Sequence, residues 1–151
     1  MNMHFEPVTL ENREEIVALE LFPEQSGFIE SVEECLAEAE ELSLWRPVGI
    51  YDGETLIGFA MYGFFPQPRP EGQVWLDRLL IDKNHQGAGY GKAAVAGLLK
   101  RLHREYGSRR VYLSVYDTNQ AAIALYQRLG FSFTGEFDTK GEKIMAYDYD
   151  H

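Results

Sequence analysis

Residues 85–94 read HQGAGYGKAA, with Gly87, Gly89 and Gly91 alternating ahead of a helix-like run and Lys92 at the seam. A strand that feeds a glycine-rich loop, which in turn feeds a helix, aims successive amide N–H groups and the positive helix end at one point. That arrangement suits a phosphate. Glycine leaves room for close approach and permits φ angles closed to other residues. A plain strand-to-helix turn needs one glycine, whereas this loop has three in five residues, flanked by Gln86 and Lys92. Spacing rejects two familiar phosphate cradles. A Walker loop needs glycine where Gln86 stands and a hydroxyl where Ala93 stands. The dinucleotide fingerprint G-x-G-x-x-G needs its third glycine at Lys92. What remains is Q-x-x-G-x-G, from Gln86 through Gly87, Ala88, Gly89 and Tyr90 to Gly91.

Other chemistry is sparsely represented. Cys35 is the single cysteine, so neither an intramolecular disulfide nor a cysteine zinc cage can form. His4, His85, His103 and His151 lack metal-ligand spacing, and no metal is expected. The net charge of −10 argues against nucleic acid as a partner. Residues 1–45 hold twelve Glu and one basic residue, Arg13, so nearly all the excess charge lies in the first third. Such a run is either a solvated face or a field that draws a cationic substrate. The N-terminal sequence lacks the pattern of a signal peptide, and the run LIGFAMYGFFPQP is too short to span a bilayer. A cytoplasmic protein without a membrane partner is expected.

The elements that must position the loop follow from periodicity. The 151 residues suit one domain, 1–151. PVGIYD and TLIGFAMYGFF are strand-like and joined by Asp52-Gly53, a hairpin signal. VWLDRLLID is a third strand leading into the glycine loop. Val95, Leu98, Leu99, Leu102 and Tyr106 then recur as one buried helical face, which Gly107 ends. VYLSVY is a strand. The next helix, through NQAAIALYQRL, takes Asp117, Thr118 or Asn119 as cap and ends at Gly130. FSFTGEF and KIMAYDY close the chain as a hairpin, and ENREEIVALEL and GFIESVEECLAEAEEL are helical near its start. The order is β-α-α-β-β-β-α-β-α-β-β, an α+β sheet with helices packed on it.

At this point the chain resembles a family. RLLIDKNHQGAGYGKAAVAGLL is similar to the acetyl-CoA motif of the GNAT N-acetyltransferases, and NQAAIALYQRLGFSFTGE fits that family's N-x-x-A-x-x-L-Y-x-x-x-G-F signature. Within the family, FAMYG, VWLDR, LYQRLGF and GEK look closest to bacterial spermine/spermidine (diamine) acetyltransferases. The resemblance implies a mixed, mostly antiparallel central sheet with helices on both faces and splayed strands forming an acetyl-CoA groove. It implies that amides from Gln86 to Lys92 hold the CoA pyrophosphate. The pantetheine arm would lie along Leu79, Leu80 and Ile81, met from the other side by Asn119, with Tyr126 near the thioester sulfur. By itself a lone Tyr126 at helical spacing would be a core aromatic; its place in the signature makes it the proton donor to the departing thiolate.

The implied reaction acetylates a primary amine of a polyamine by direct transfer in a ternary complex, without an acyl-enzyme. Asp77 would act as base or substrate anchor, since alternation puts residues 77, 79 and 81 on one strand face. The alternative is that Asp77 pairs with Arg78 or Arg110. The oxyanion would rest on an N–H near Leu80 or Ile81. In this family the N-terminal helices border the substrate mouth, and Glu30 and Glu34, one turn apart, could face it together. Acetylation of a peptide amine, a protein lysine or an aminoglycoside stays open, as do a non-catalytic acyl-CoA-binding module and a homodimer.

Overall fold

The computed structural model describes residues 2–22, 31–66 and 72–149. Strands β1 (Met3–Pro7), β2 (Trp45–Asp52), β3 (Thr55–Phe65), β4 (Gln73–Ile81), β5 (Arg110–Val115), β6 (Ser132–Phe137) and β7 (Lys143–Asp148) form one sheet in the order β1-β2-β3-β4-β5-β7-β6. Every neighbouring pair is antiparallel except β4 and β5. The helices are α1 (Arg13–Val17), α2 (Val32–Glu41), α3 (Tyr90–Tyr106) and α4 (Gln120–Leu129). Element order and the mostly antiparallel sheet agree with the sequence reading.

The sheet has an apolar layer on each face. On one, Val95, Leu98 and Leu102 of α3 and Ile123 of α4 pack on Val74, Leu76, Val111 and Leu113. On the other, Ile16 of α1 and Val32, Cys35 and Leu36 of α2 pack on Phe59, Met61 and Leu80. The expected stripe of α3 is thus its buried face.

Two helices differ from expectation, each for a tertiary or local reason. The first was read over 11–21 but forms only at Arg13–Val17. Beyond it the Glu20 N–H donates to Asp82 Oδ1 (2.9 Å) and the Lys83 N–H donates to the Glu20 carbonyl (2.7 Å), which pulls the chain across to the end of β4. The second starts at Val32, because Ser31 is its N-cap. The Ser31 hydroxyl accepts from the Glu34 N–H (3.2 Å), and the Glu34 carboxylate accepts from the Ser31 N–H (3.1 Å), a closed capping box. Its upstream portion, with Phe28 and Glu30, lies outside the described residues. Among the described residues no helix is long and apolar enough to cross a membrane.

The feature that positions the site is a bulge in β4. Met61 pairs with Arg78 and Tyr62 with Leu76, so Asp77 is an extra residue without a partner position on β3. Side-chain parity changes there. Val74 and Leu76 face the α3 layer before the bulge, and Leu79 and Ile81 face it afterwards. β4 also loses β5 at this point. The two pair only at Val74–Val111 and Trp75–Tyr112, and then they part.

Gly58 holds β3 against the far end of β4. A Cβ there would lie 2.4 Å from the Leu80 carbonyl oxygen, a backbone atom. Gly58→Ala is expected to destabilise the fold by about 1–3 kcal/mol, as overpacking does, read as a lower urea midpoint at unchanged slope.

Candidate active site

Past Trp75, the edge of β4 that faces β5 has no strand beside it among the described residues, and a groove of about 290 Å³ opens. Its walls are Leu79, Leu80 and Ile81 on one side and Asn119, Ala121, Ala122, Leu125 and Tyr126 of the α4 segment on the other. Gln86, Gly87, Gly89, Tyr90 and Gly91 close one end. Asp82 donates its N–H to the Ile57 carbonyl (2.8 Å). Amide direction alternates along an antiparallel ladder, so Leu80 also points into β3, and the groups of Leu79 and Ile81 point into the gap. Of the two amides considered for the oxyanion, only that of Ile81 is available; Leu79 supplies the other. The Gln86 side chain donates to the Ile81 carbonyl (2.9 Å), tying the loop to the strand.

The loop is built around two left-handed positions, Gly87 (φ 84°) and Gly89 (φ 81°). Gly89 is the N-cap of α3, so the amides of Tyr90, Gly91 and Lys92 form its open first turn. No Cβ clash enforces Gly87, which has open space around it; its backbone angle does. The Tyr90 phenol turns away and donates to Asp52 (2.7 Å), which anchors the helix start to the β2–β3 turn. Ala88 and Lys92 are exposed and do not line the groove, so they reach a ligand at its mouth only through their amides.

Asp82 fixes the entry to this loop. Nearly buried, its carboxylate accepts from the Glu20 N–H (2.9 Å) and from the Asn84 N–H (3.2 Å), with His85 Nδ1 at 3.4 Å. The sequence reading did not single it out, although an Asp directly before a loop is an ordinary capping signal.

Tyr126 stands where the groove meets a second, polar cavity of about 120 Å³, which Asp77, Arg78, Ser114, Asn119, Lys140 and Glu142 also line. Its ring meets Phe131 edge-on at 5.5 Å. Among the described residues its hydroxyl has no hydrogen-bond partner. Burial pushes the phenol up to about 12, so it is protonated throughout the neutral range. Asn119 caps α4 by accepting from the Ala122 N–H (3.4 Å), which settles the three-way choice of cap and leaves its amide nitrogen free of that bond.

Asp77 does reach the site, but not by the route expected. The bulge separates it from Leu79 and Ile81, so the three do not share a face. Asp77 and Arg78 instead line the same cavities, and Arg78 donates to Asp77 Oδ1 at 2.8 Å. The pairing with Arg78 is therefore real, while Arg110 is engaged with Asp148 (2.6 Å). Strict strand alternation could not have foreseen a bulge that depends on the register of β3.

The acidic helix lines a cavity near Asp77 through a residue other than Glu34. Glu34 is committed to the capping box and lines none of the cavities around Asp77. One turn on, Glu38 lines a further cavity, outside the polar one, that Asp77 and Arg78 also line, and it sits 3.9 Å from Arg78. Glu30 lies outside the described residues. Glu38, Lys140 and Glu142 were not assigned roles from sequence, though Glu142 belongs to the GEK run that carried the narrower resemblance. Among the described residues no three His, Cys, Asp or Glu side chains gather into a metal-holding group.

The half-open sheet thus carries an amide-lined loop at one end of the gap and a phenol packed against the core at the other. Residues 10–131 match the acetyltransferase (GNAT) family, and the chain belongs to that family. It is 44% identical over 149 residues to the spermine/spermidine N(1)-acetyltransferase of Bacillus subtilis (strain 168), covering 97% of this chain and 98% of that one. In fold it is similar to the spermidine N-acetyltransferase from Vibrio cholerae in complex with CoA and spermine, with TM-score 0.75, 17% identity and coverage of 99% and 96%. It is also similar in fold to the aminoglycoside N(6′)-acetyltransferase from Legionella pneumophila, with TM-score 0.80, 15% identity and coverage of 99% and 94%.

Asp82→Ala is expected to free the Glu20 and Asn84 amides and cost about 1–3 kcal/mol through unsatisfied donors. Hydrogen exchange should report this, with both amides exchanging at least tenfold faster than in the wild type.

Proposed function

We propose that this protein transfers the acetyl group of acetyl-CoA to a primary amine of a polyamine, directly and in the cytoplasm. One observation carries the chemistry: Tyr126 stands between a cofactor-shaped groove and a polar cavity whose wall holds Asp77. The likeness to the spermine/spermidine enzyme along nearly the whole chain supports the substrate class.

The groove suits CoA on its own terms. The open amides from Gly87 to Lys92 and the positive end of α3 offer donors to a pyrophosphate. The backbone groups of Leu79 and the N–H of Ile81 can bond the pantetheine amides as a strand would, the Ile81 carbonyl being held by Gln86. Asn119 faces the arm from the other wall. Acetyl-CoA supplies the activated thioester.

An alkylamine with pKa about 10.4 is neutral in about one molecule in a few thousand at pH 7, and deprotonation costs about 4–5 kcal/mol. The Asp77 carboxylate anchors the ammonium and passes its proton to water or takes it directly. The guanidinium of Arg78 draws on the same oxygens, which supports anchoring as its larger share. The neutral nitrogen attacks the carbonyl carbon, and the amide of Leu79 or Ile81 stabilises the charge gathering on oxygen. As the C–S bond breaks, the Tyr126 hydroxyl gives its proton to sulfur, the acylated nitrogen releases its extra proton to water, and the phenolate is reprotonated from solvent. A phenol held protonated by burial suits this role.

A thiol-release assay with acetyl-CoA and a panel of polyamines, lysine peptides and aminoglycosides tests the reading, with spermidine or spermine as the preferred acceptor. Preference for a peptide or an aminoglycoside would overturn the polyamine assignment. Tyr126→Phe is expected to lower kcat by about 10- to 1,000-fold, the usual scale for a lost general acid, with acetyl-CoA affinity little changed. Gly89→Asp should lower acetyl-CoA affinity more than tenfold in calorimetry while the far-UV spectrum stays native, because it adds bulk and negative charge beside the amides.

A further inference from the structure

Beyond Asp77 the polar cavity continues into an outer chamber of about 320 Å³ whose walls are aromatic. Trp45 on β2 and Trp75 on β4 both pair with Gly63 on β3, so three strands bring two indoles level across a bare position. A Cβ at Gly63 would lie 3.0 Å from the Trp45 ring and 3.1 Å from the Phe65 ring. Phe65 meets Trp45 edge-on at 4.7 Å, and Tyr112 stacks behind Trp75 at 5.3 Å. The walls are therefore held by packing and do not wait for a ligand.

The floor is acidic. Glu38, Asp77, Asp138 and Glu142 face two cations, Arg78 and Lys140. Glu142 lines both this chamber and the cavity beside Tyr126, so the two form one passage. The β6–β7 turn holds it there, since Asp138 Oδ1 accepts the N–H groups of Lys140 (2.9 Å) and Glu142 (2.8 Å). Burial first, and then the charge of Asp138, raise the Glu142 carboxyl above its ordinary range. A bound ammonium would relieve that repulsion.

We propose that this chamber holds the next ammonium group of the amine substrate while the reacting nitrogen lies beside Tyr126, with Glu142 as the specificity-determining carboxylate and Trp45 and Trp75 as cation-binding walls. The inference rests on the polyamine reading above and adds how the site tells a polyamine from a simple amine. Indole faces attract ammonium groups and accept the methylenes between them. A monoamine fills only the inner cavity and gains nothing from the outer one.

The test compares spermidine with n-butylamine as acceptors and reads the ratio of their kcat/KM values. Glu142→Gln should lower the spermidine-to-butylamine ratio at least fivefold, mainly through the KM for spermidine, and Trp75→Leu should lower it likewise. Lys140→Gln removes a competing cation and should raise the ratio. Opposite signs from neighbouring neutralisations cannot come from general damage to the turn. An unchanged ratio in Glu142→Gln, or equal losses with both amines, would overturn the proposal and leave the polyamine reading standing. A wild type that releases thiol with butylamine but not spermidine would overturn both.

Discussion

The site depends on one broken pairing. β4 and β5 are parallel neighbours for two residue pairs and then separate, at the point where Asp77 is inserted as a bulge. Unpaired backbone groups in a sheet are costly unless something bonds them. The gap thus has the geometry to receive a chain-like ligand with its own amides in place of the missing strand. The bulge that bends β4 away also turns Asp77 and Arg78 toward the mouth and returns Leu79 and Ile81 to the apolar side. Groove and polar cavity are two consequences of the same irregularity.

The surrounding elements hold that gap open from both ends. At one end Asp82, the Gln86 side chain and the Tyr90–Asp52 bond fix the glycine loop to β4, to the segment after α1 and to the β2–β3 turn. At the other, α4 is set by the Asn119 cap and by its packing through Ile123, which brings Tyr126 to the junction. The phenol is a core aromatic and a groove residue at once. Its ring is packed on Phe131, and the same burial keeps its proton in place.

The lopsided charge of the chain takes a specific form here. Most of the glutamates in the first third that the structure describes are exposed, and Glu34 works within its own helix. The acidic lining of the outer cavity comes from Glu38 of α2 together with Asp138 and Glu142 of the C-terminal turn, residues more than 90 positions apart. This acidic lining is assembled across the sheet and is not a property of one charged run.

Element order, the buried face of α3, the end of α4 at Gly130, the Asp52-Gly53 hairpin and the glycine-rich turn into α3 were legible in the sequence. Periodicity, turn chemistry and glycine spacing are local and act within a few residues of one another. The place of Tyr126 was legible only through a motif, since spacing alone gives a core aromatic. Tertiary structure decided the bulge at Asp77, the early end of α1, which side of β4 carries free amides, and the meeting of Glu38 with Glu142. Each depends on the register between strands or on contacts between residues distant in the chain. Local pattern fixes which groups a segment can offer; only packing in three dimensions decides which of them face the same space.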